Sequence, residues 1–125
     1  MPDRKLKETL NMHERKYDWR GVIREIDPKA ADIITEYVVH SVARESEIPR
    51  KYKELILMAC SAVIRYGSSV RTHGSEAMYQ GATDREVIEA LSLASLTGGF
   101  TAFIEGIEAL GDQLTVAQPD DKTTS

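Results

Sequence analysis

The sequence predicts an all-α fold, a helical domain of about six helices, and three features of its 125 residues support that prediction. Apolar residues recur every three or four positions in successive segments, which is the spacing of one face of a helix. Single glycines and prolines separate these segments, as they do at helix ends. No segment shows the alternation of apolar and polar residues that is typical of a half-buried strand.

The first half of the chain is predicted to hold three helices. Residues 3–16 are charged and favour a surface or partner-facing helix, and residues 19–26 add a short apolar patch. Asp27 and Pro28 predict a helix start, because an N-cap aspartate accepts from the backbone and proline suits the first helical position. The third helix begins at Pro49, and its apolar residues lie nearly all round it. Such a helix is central or lies at a subunit interface.

The second half is predicted to hold three more helices. Gly67 is expected to end the central helix, and Ser68 or Ser69 to cap the helix that carries His73. The pattern T-x-x-E at residues 83–86 is a capping box, which predicts the start of the next helix. Paired glycines then break that helix before a last one that ends near residue 110.

These patterns divide the chain into three parts. We expect an N-terminal helical extension over residues 1–27, a helical domain over residues 28–112 and a flexible tail over residues 113–125. The loops are short, which favours antiparallel neighbours. The helices carry more apolar surface than a small monomer needs, so we expect a homo-oligomer.

Charge and composition exclude several classes of function. The net charge is −4 and the isoelectric point is near 5.4, so the mildly acidic surface repels phosphate backbones and nucleic acid is not an expected partner. No apolar run approaches the roughly 18 residues of a membrane span, so no membrane partner is expected. The first residues lack the apolar core of a signal peptide, which favours a cytoplasmic location.

The familiar catalytic and metal-binding motifs are absent from the sequence. It has no phosphate loop, no dinucleotide fingerprint and no HExxH, and its three histidines, His13, His40 and His73, are far apart. We therefore predict no metal and no cofactor. Cys60 is the single cysteine, so no disulfide forms within the chain, and its apolar surroundings predict a buried small side chain.

His73 is the first candidate for chemistry. It lies in register with Val70 and Ala77 on the apolar side of its helix, where a histidine is either packed or placed for proton transfer. Ser69 and Glu76 lie one turn before and after it, within reach of the imidazole. Glu76 is expected to face solvent, and Ser69 can equally be a helix cap.

Glu54 and the residues of the following turn complete the candidate set. A carboxylate beside so much apolar surface suits a general acid or base, although Glu54 can also be a surface residue paired with Arg50 or Lys51. Tyr66, Arg65 and Arg71 flank the turn between the two central helices. Each arginine can hold a substrate carboxylate by two hydrogen bonds or serve as an exposed charge.

Two segments of the chain resemble a known family. They are "PRKYKELILMACSAV" and, after a turn, "SVRTHGSEAMYQGATDREVIEALSLASLTGG". Their order is similar to that in the carboxymuconolactone decarboxylase family, which includes the alkylhydroperoxidase D-like proteins. The resemblance covers roughly residues 30–110. It implies an all-α core that assembles into dimers, trimers or ring-shaped hexamers.

The alkylhydroperoxidase D-like branch implies a site made of a glutamate, a CxxC pair and a histidine. On this chain the glutamate matches Glu54 and the histidine matches His73, whereas Tyr66 and Ser69 stand at the two cysteine positions. Cys60 lies in the preceding helix and does not replace them. Because thiol-based peroxide reduction needs both thiols, we do not expect this activity.

The decarboxylase branch works without cysteines and implies loss of carbon dioxide from a small carboxylated lactone. For such chemistry His73 is the expected proton donor, Glu54 tunes or relays the proton, and Ser69 completes the catalytic set. Glu54 departs from the typical pattern of that branch, so a related lyase or isomerase reaction stays open. Arg65 or Arg71 is then expected to bind the substrate's carboxylate beside Tyr66. The alternative is a non-catalytic oligomeric binding protein of the same fold.

Helix lengths alone do not bring Glu54 and His73 into direct contact, although the family pattern implies that the two residues meet. Glu54 lies 12 residues before Tyr66 and His73 lies seven residues after it. In a straight antiparallel hairpin that turns at Tyr66, the two side chains are offset by five residues, or about one and a half turns. A contact then requires splayed or bent helices, or a bridging water.

Overall fold

The computed structural model describes residues 18–115, and within them the chain is all-α with no strand. The predicted fold class is therefore confirmed. The charged helix predicted over residues 3–16 lies outside the described residues. Six α-helices occur in the described part of the chain: α1 Trp19–Ile26, α2 Pro28–Val38, α3 Arg50–Val63, α4 Gly67–Tyr79, α5 Asp84–Gly98 and α6 Phe100–Leu110.

The chain forms two compact units, which meet in sequence at Ser46 and Glu47. The first unit contains α1, α2 and a π-helical turn, Val39–Ala43. The predicted cap at the start of α2 is present, because the Asp27 carboxylate accepts from the backbone N–H of Ala30 at 3.1 Å. Residues 28–46 group with α1 in this unit by their contacts.

The second unit contains α3, α4, α5 and α6. α3 packs along α4 and α5, and α6 packs against the same helices. The largest fully buried apolar side chains of the unit come from all four helices: Met58, Val70, Val87, Leu91 and Leu110. Two predicted breaks are also present, since the Thr83–Glu86 capping box forms and Gly99 ends α5 with a φ of 89°.

The segment after α6 remains packed on the second unit as far as the structure describes it. A short 3₁₀ turn, Gly111–Gln113, leads to Leu114, which is buried in the core. The backbone N–H of Thr115 donates to the Asp84 carboxylate at 3.0 Å. We expected a flexible tail from residue 113, but residues 113–115 belong to the packed unit, and the rest lies outside the described residues.

The turn between α3 and α4 differs from the predicted one. α3 ends at Val63, and Gly67 is the first residue of α4 rather than the cap of α3. The residue with a left-handed backbone is Arg65, at φ 64°. α4 has no side-chain cap, so the prediction that Ser68 or Ser69 caps it is wrong.

α3 is apolar on two faces, as its sequence predicts, but only one of them is buried. Leu55, Met58 and Ala62 face the core. Cys60 is exposed, so the prediction of a buried thiol is wrong: it follows the outer face of the helix rather than the core face. That outer face, here called the α3 stripe, consists of Tyr52, Ile56, Cys60 and Ile64.

No α-helix in residues 18–115 is both long enough and apolar enough to span a bilayer.

Candidate functional site

A row of polar side chains lies between α3 and α4, inside an otherwise apolar helix pair. Each helix contributes three of them, spaced by about one or two turns, so that they share one face. Because the two helices run antiparallel, the residues meet in pairs across the contact. We call this row the polar seam, and its members are Arg50, Glu54 and Ser61 from α3, and Ser69, His73 and Glu76 from α4.

The centre of the polar seam is a direct hydrogen bond between Glu54 and His73. The imidazole Nδ1 lies 2.7 Å from the Glu54 Oε1. The Glu54 side chain is fully buried, whereas the His73 side chain is 25 % exposed. The other ring nitrogen, Nε2, makes no hydrogen bond to any of the described residues. His73 therefore has one nitrogen held by a buried carboxylate and one that is open to a ligand.

The expected offset between these two residues is wrong, because α3 is shorter than its sequence suggests. Glu54 lies nine residues before the last residue of α3, Val63, which is about 13 Å of helix. His73 lies six residues after the first residue of α4, Gly67, which is about 9 Å. The difference is less than one turn, and two long side chains span it without a bridging water.

Arg50 and Glu76 extend the polar seam beyond the central pair. The Arg50 Nε–H donates to the second oxygen of Glu54, Oε2, at 2.7 Å. The Arg50 Nη2 lies 3.5 Å from the Glu76 Oε2, which also accepts from the Gln80 Nε2 at 3.2 Å. Glu76 is only 3 % exposed, so the prediction that it faces solvent is wrong. Its burial is possible because Arg50 reaches across from α3 with a compensating charge.

A pair of hydroxyls forms the other end of the polar seam. The Ser61 and Ser69 Oγ atoms lie 2.7 Å apart, and the Ser61 hydroxyl donates to the Leu57 carbonyl at 2.8 Å. A serine has one hydroxyl proton, so Ser69 must be the donor to Ser61. In this structure Ser69 therefore offers a ligand only its acceptor lone pairs.

Arg65 is held at the turn between α5 and α6. Its guanidinium donates to the Gly98 carbonyl and the Thr101 hydroxyl and lies 3.7 Å from Glu105. These bonds stabilise the left-handed backbone of Arg65, which costs on the order of 1 kcal/mol for a residue other than glycine. Tyr66 follows it with a half-exposed side chain.

Arg71 is held at the end of α6. It donates to the carbonyls of Ala109 and Leu110 at 3.3 and 3.0 Å, and to the Asp112 carboxylate at 2.9 Å. The Arg71 hydrogen bond, and then its charge, lower the pKa of Asp112 below its ordinary value. Arg71 thus caps the last helix, where a cation is favoured.

The structure brings together some of the predicted site residues and not others. Glu54 and His73 are in contact, and Ser69 lies on the same face of α4, one turn before His73. No hydrogen bond among the described residues links Arg65 or Arg71 to this pair. Ser61 is the member of the polar seam that the sequence reasoning does not include. Arg50 pairs with Glu54, as the surface alternative has it, but at a buried carboxylate, and Glu76 is buried and lies next to Arg50.

The polar seam can transfer protons at His73 Nε2. An ionised carboxylate only accepts hydrogen bonds, so Glu54 holds the neutral imidazole with its proton on Nδ1 and its lone pair on Nε2. Proton uptake at Nε2 produces an imidazolium beside a buried carboxylate. Within residues 18–115, no three His, Cys, Asp or Glu side chains converge as a metal site.

Comparisons with known proteins agree with this architecture. The model of the Carboxymuconolactone decarboxylase family matches residues 28–112, which include all of α2 to α6 and the whole polar seam. Searches of curated proteins and of solved structures each returned no significant match. Since the family match covers more than half of the sequence, the chain belongs to the carboxymuconolactone decarboxylase family.

Proposed function

We propose that the protein is an acid–base enzyme that removes carbon dioxide from a small carboxylated, lactone-like substrate, with His73 as proton donor and acceptor. The observation that supports this most is the hydrogen bond between His73 Nδ1 and the buried Glu54, which leaves Nε2 open. The family's name supplies the substrate class. The orientation of an imidazole by a buried carboxylate is a recurring device of acid–base catalysis.

In this reaction His73 transfers one proton to a carbon atom of the substrate. The substrate's carboxylate leaves as carbon dioxide, and the electron pair of the broken carbon–carbon bond stays on the ring as a carbanion or enolate. The imidazolium Nε2–H gives its proton to that carbon, and the neutral imidazole regains a proton from water. Positioned acids contribute about 10²- to 10⁴-fold to such steps.

The remaining candidate residues have smaller roles in this proposal. The Ser69 oxygen can accept a hydrogen bond from a hydroxyl of the substrate. Arg65 and Arg71 are candidates for its carboxylate, but each must first exchange a carbonyl partner for the substrate. Tyr66 is exposed enough to contact a ligand.

A thiol peroxidase is disfavoured by the residues at the cysteine positions. Tyr66 and Ser69 carry no thiol, and Cys60 is the single cysteine of the chain. Cys60 also lies on the exposed α3 stripe, on the face opposite to the core. No second thiol of the chain can resolve an oxidised Cys60.

A second candidate is a non-catalytic oligomeric binding protein of the same fold. The specific observation in its favour is the amount of apolar surface that the second unit exposes. Besides the α3 stripe, four large apolar side chains of α5 and α6 are exposed: Leu93, Leu96, Phe100 and Ile104.

Turnover of carboxymuconolactone, measured as release of carbon dioxide, tests the proposal. The wild-type protein should release it enzymatically, and His73→Gln should lower kcat/KM by about 10²- to 10⁴-fold without changing the oligomeric state. Cys60→Ser is the matched control and should keep full activity. Equal turnover by wild type and His73→Gln, or peroxide reduction that depends on Cys60, would contradict the assignment.

A further inference from the structure

We propose that Arg50 and Glu76 are positioning residues, which act through Glu54 to set the orientation and the tautomer of His73. The kinetic part of this inference rests on the proposed function. Its structural part does not, because the protonated nitrogen of His73 can be observed without any substrate.

The first step of the argument is that both oxygens of Glu54 are occupied. Oε1 faces His73 Nδ1 and Oε2 accepts from the Arg50 Nε–H, each at 2.7 Å. The Glu54 side chain is fully buried, so water has no access to replace either partner. Rotating the carboxylate would break both short hydrogen bonds. Arg50 therefore fixes the orientation of the Glu54 carboxylate, and through it the orientation of the His73 ring.

The second step concerns which nitrogen of His73 carries the proton. The Arg50 guanidinium favours the ionised form of Glu54, and an ionised carboxylate only accepts hydrogen bonds, so Nδ1 is the donor. The neutral ring is then held in the Nδ1–H tautomer, and Nε2 keeps its lone pair for the reaction. Without Arg50, Glu54 would lose the second of its two partners among residues 18–115, together with its compensating charge, and this selection would weaken.

The third step places Glu76 behind Arg50. The guanidinium uses Nε for Glu54 and presents Nη2 to Glu76 at 3.5 Å, and Nη2 is buried with no hydrogen-bond partner in the structure. Glu76 thus positions the Nη2 end of the Arg50 guanidinium by electrostatic attraction.

Two other charged residues of these helices have partners outside the polar seam. Lys51 donates to Glu86 on α5 at 3.1 Å, and Arg71 donates to Asp112 after α6 at 2.9 Å. Among residues 18–115, the cationic side chain that is hydrogen-bonded to the Glu54–His73 pair is that of Arg50.

The matched control is the next residue on α3. Lys51→Gln removes the same unit of positive charge as Arg50→Gln, one position away, but Lys51 contacts Glu86 and not Glu54. Arg50→Lys keeps the charge, yet a single ammonium cannot serve Glu54 and Glu76 with the two-armed geometry of a guanidinium.

The decisive experiment is a two-bond ¹H–¹⁵N correlation spectrum of histidine-labelled protein, recorded where the ring is neutral. His73 is assigned by the signal that disappears in His73→Gln. We expect the Nδ1–H pattern in the wild type and in Lys51→Gln. We expect a shift towards the Nε2–H pattern in Arg50→Gln, and smaller shifts in Arg50→Lys and Glu76→Gln.

Kinetics on carboxymuconolactone provide a second readout. A positioning role predicts that Arg50→Gln lowers kcat about ten- to hundredfold, the loss typical when the group that orients a functional histidine is disturbed, while KM changes little. Arg50→Lys should recover part of kcat. If Arg50→Gln does not fold, Arg50→Lys and Glu76→Gln decide the question by the same spectrum.

Two results would overturn the inference: a wild-type tautomer in every folded Arg50 and Glu76 variant, or the same tautomer change in Lys51→Gln. The proposed function fails separately. If the wild type does not turn over the lactone while the Arg50 variants change the His73 spectrum, the positioning role stands and the decarboxylase assignment falls.

Discussion

Glu54 is the residue on which the site depends, because a fully buried carboxylate is stable only when it is well paired. Arg50 and His73 each take one of its oxygens. Removing one member of such a buried arrangement is costly, because it leaves an uncompensated charge behind. The same residue therefore affects both the stability of the second unit and the chemistry of His73.

Glu54→Gln should lower the free energy of unfolding by about 3–5 kcal/mol, since Arg50 loses the nearer of its two buried counter-charges, at 2.7 Å, and keeps only Glu76 at 3.5 Å. Glu105→Gln is the matched control: Glu105 is mostly exposed and pairs with Arg65 at 3.7 Å. Exposed pairs contribute about 0–1 kcal/mol, so that variant should be nearly neutral. Urea unfolding of both variants checks this, and equal losses would show that Glu54 is not specially held.

The sequence names Glu54 and His73 as candidates, but neither their direct contact nor the buried surroundings of the pair can be read from it. Glu54 and His73 followed from residue type and family pattern. The sequence predicts an exposed Glu76, because the spacing of residues on α4 does not show that Arg50 of α3 lies close enough to pair with it. The sequence predicts a buried Cys60, whereas the thiol is exposed. Because α3 is apolar on both faces, its sequence does not tell which face is buried.

At the scale of elements, the site depends on how closely α4 approaches its neighbours. Gly74 follows His73 directly, and a Cβ at this position would lie 2.3 Å from Leu110 Cδ2 and 3.1 Å from Met58 Sδ. Leu110 and Met58 are both fully buried and have little room to move. A glycine is therefore required where α4 meets α3 and α6.

Gly74→Ala should destabilise the protein by about 1–3 kcal/mol through overpacking, in spite of the better helix propensity of alanine. Gly67→Ala is the control in the same helix, because its Cβ would meet only the Ala109 Cβ at 3.7 Å, an ordinary contact. We expect Gly67→Ala to be neutral or slightly stabilising. Thermal unfolding separates the two variants, and a Gly74→Ala protein as stable as the wild type would refute the packing argument.

Local signals predicted some helix boundaries and missed one. The caps at Asp27 and Thr83 depend on neighbouring residues only, so the sequence shows them directly. The turn after α3 depends on Arg65, whose left-handed backbone is stabilised by bonds to Gly98 and Thr101, more than thirty residues away. No local pattern indicates such bonds, and Gly67 was the more plausible residue for that conformation.

At the scale of the whole molecule, the exposed apolar surface predicts self-association. The α3 stripe and the exposed side chains of α5 and α6 are larger than isolated surface apolar residues explain. Light scattering should show a dimer, trimer or hexamer at micromolar concentration. The substitution Ile56→Glu, which puts a charge on the α3 stripe, should shift the protein towards smaller species if that stripe is buried in the assembly.

A stable wild-type monomer at the same concentration would contradict the prediction of an oligomer. The control for the charge change itself is Lys29→Gln, which also lowers the net charge by one unit, at an exposed position outside both apolar surfaces. The all-α class could be predicted from periodicity alone. The register of α3 against α4 could not, because it depends on where the turn between them begins.

A double-mutant cycle between Glu54 and His73 tests the central claim most directly. We expect His73→Gln to lower kcat/KM on carboxymuconolactone by about 10²- to 10⁴-fold, and the double variant Glu54→Gln/His73→Gln to be no worse than His73→Gln alone, because residues that act as a unit are not additive. Effects of the two single variants that simply multiply in the double variant would show that Glu54 and His73 do not work as one acid–base pair.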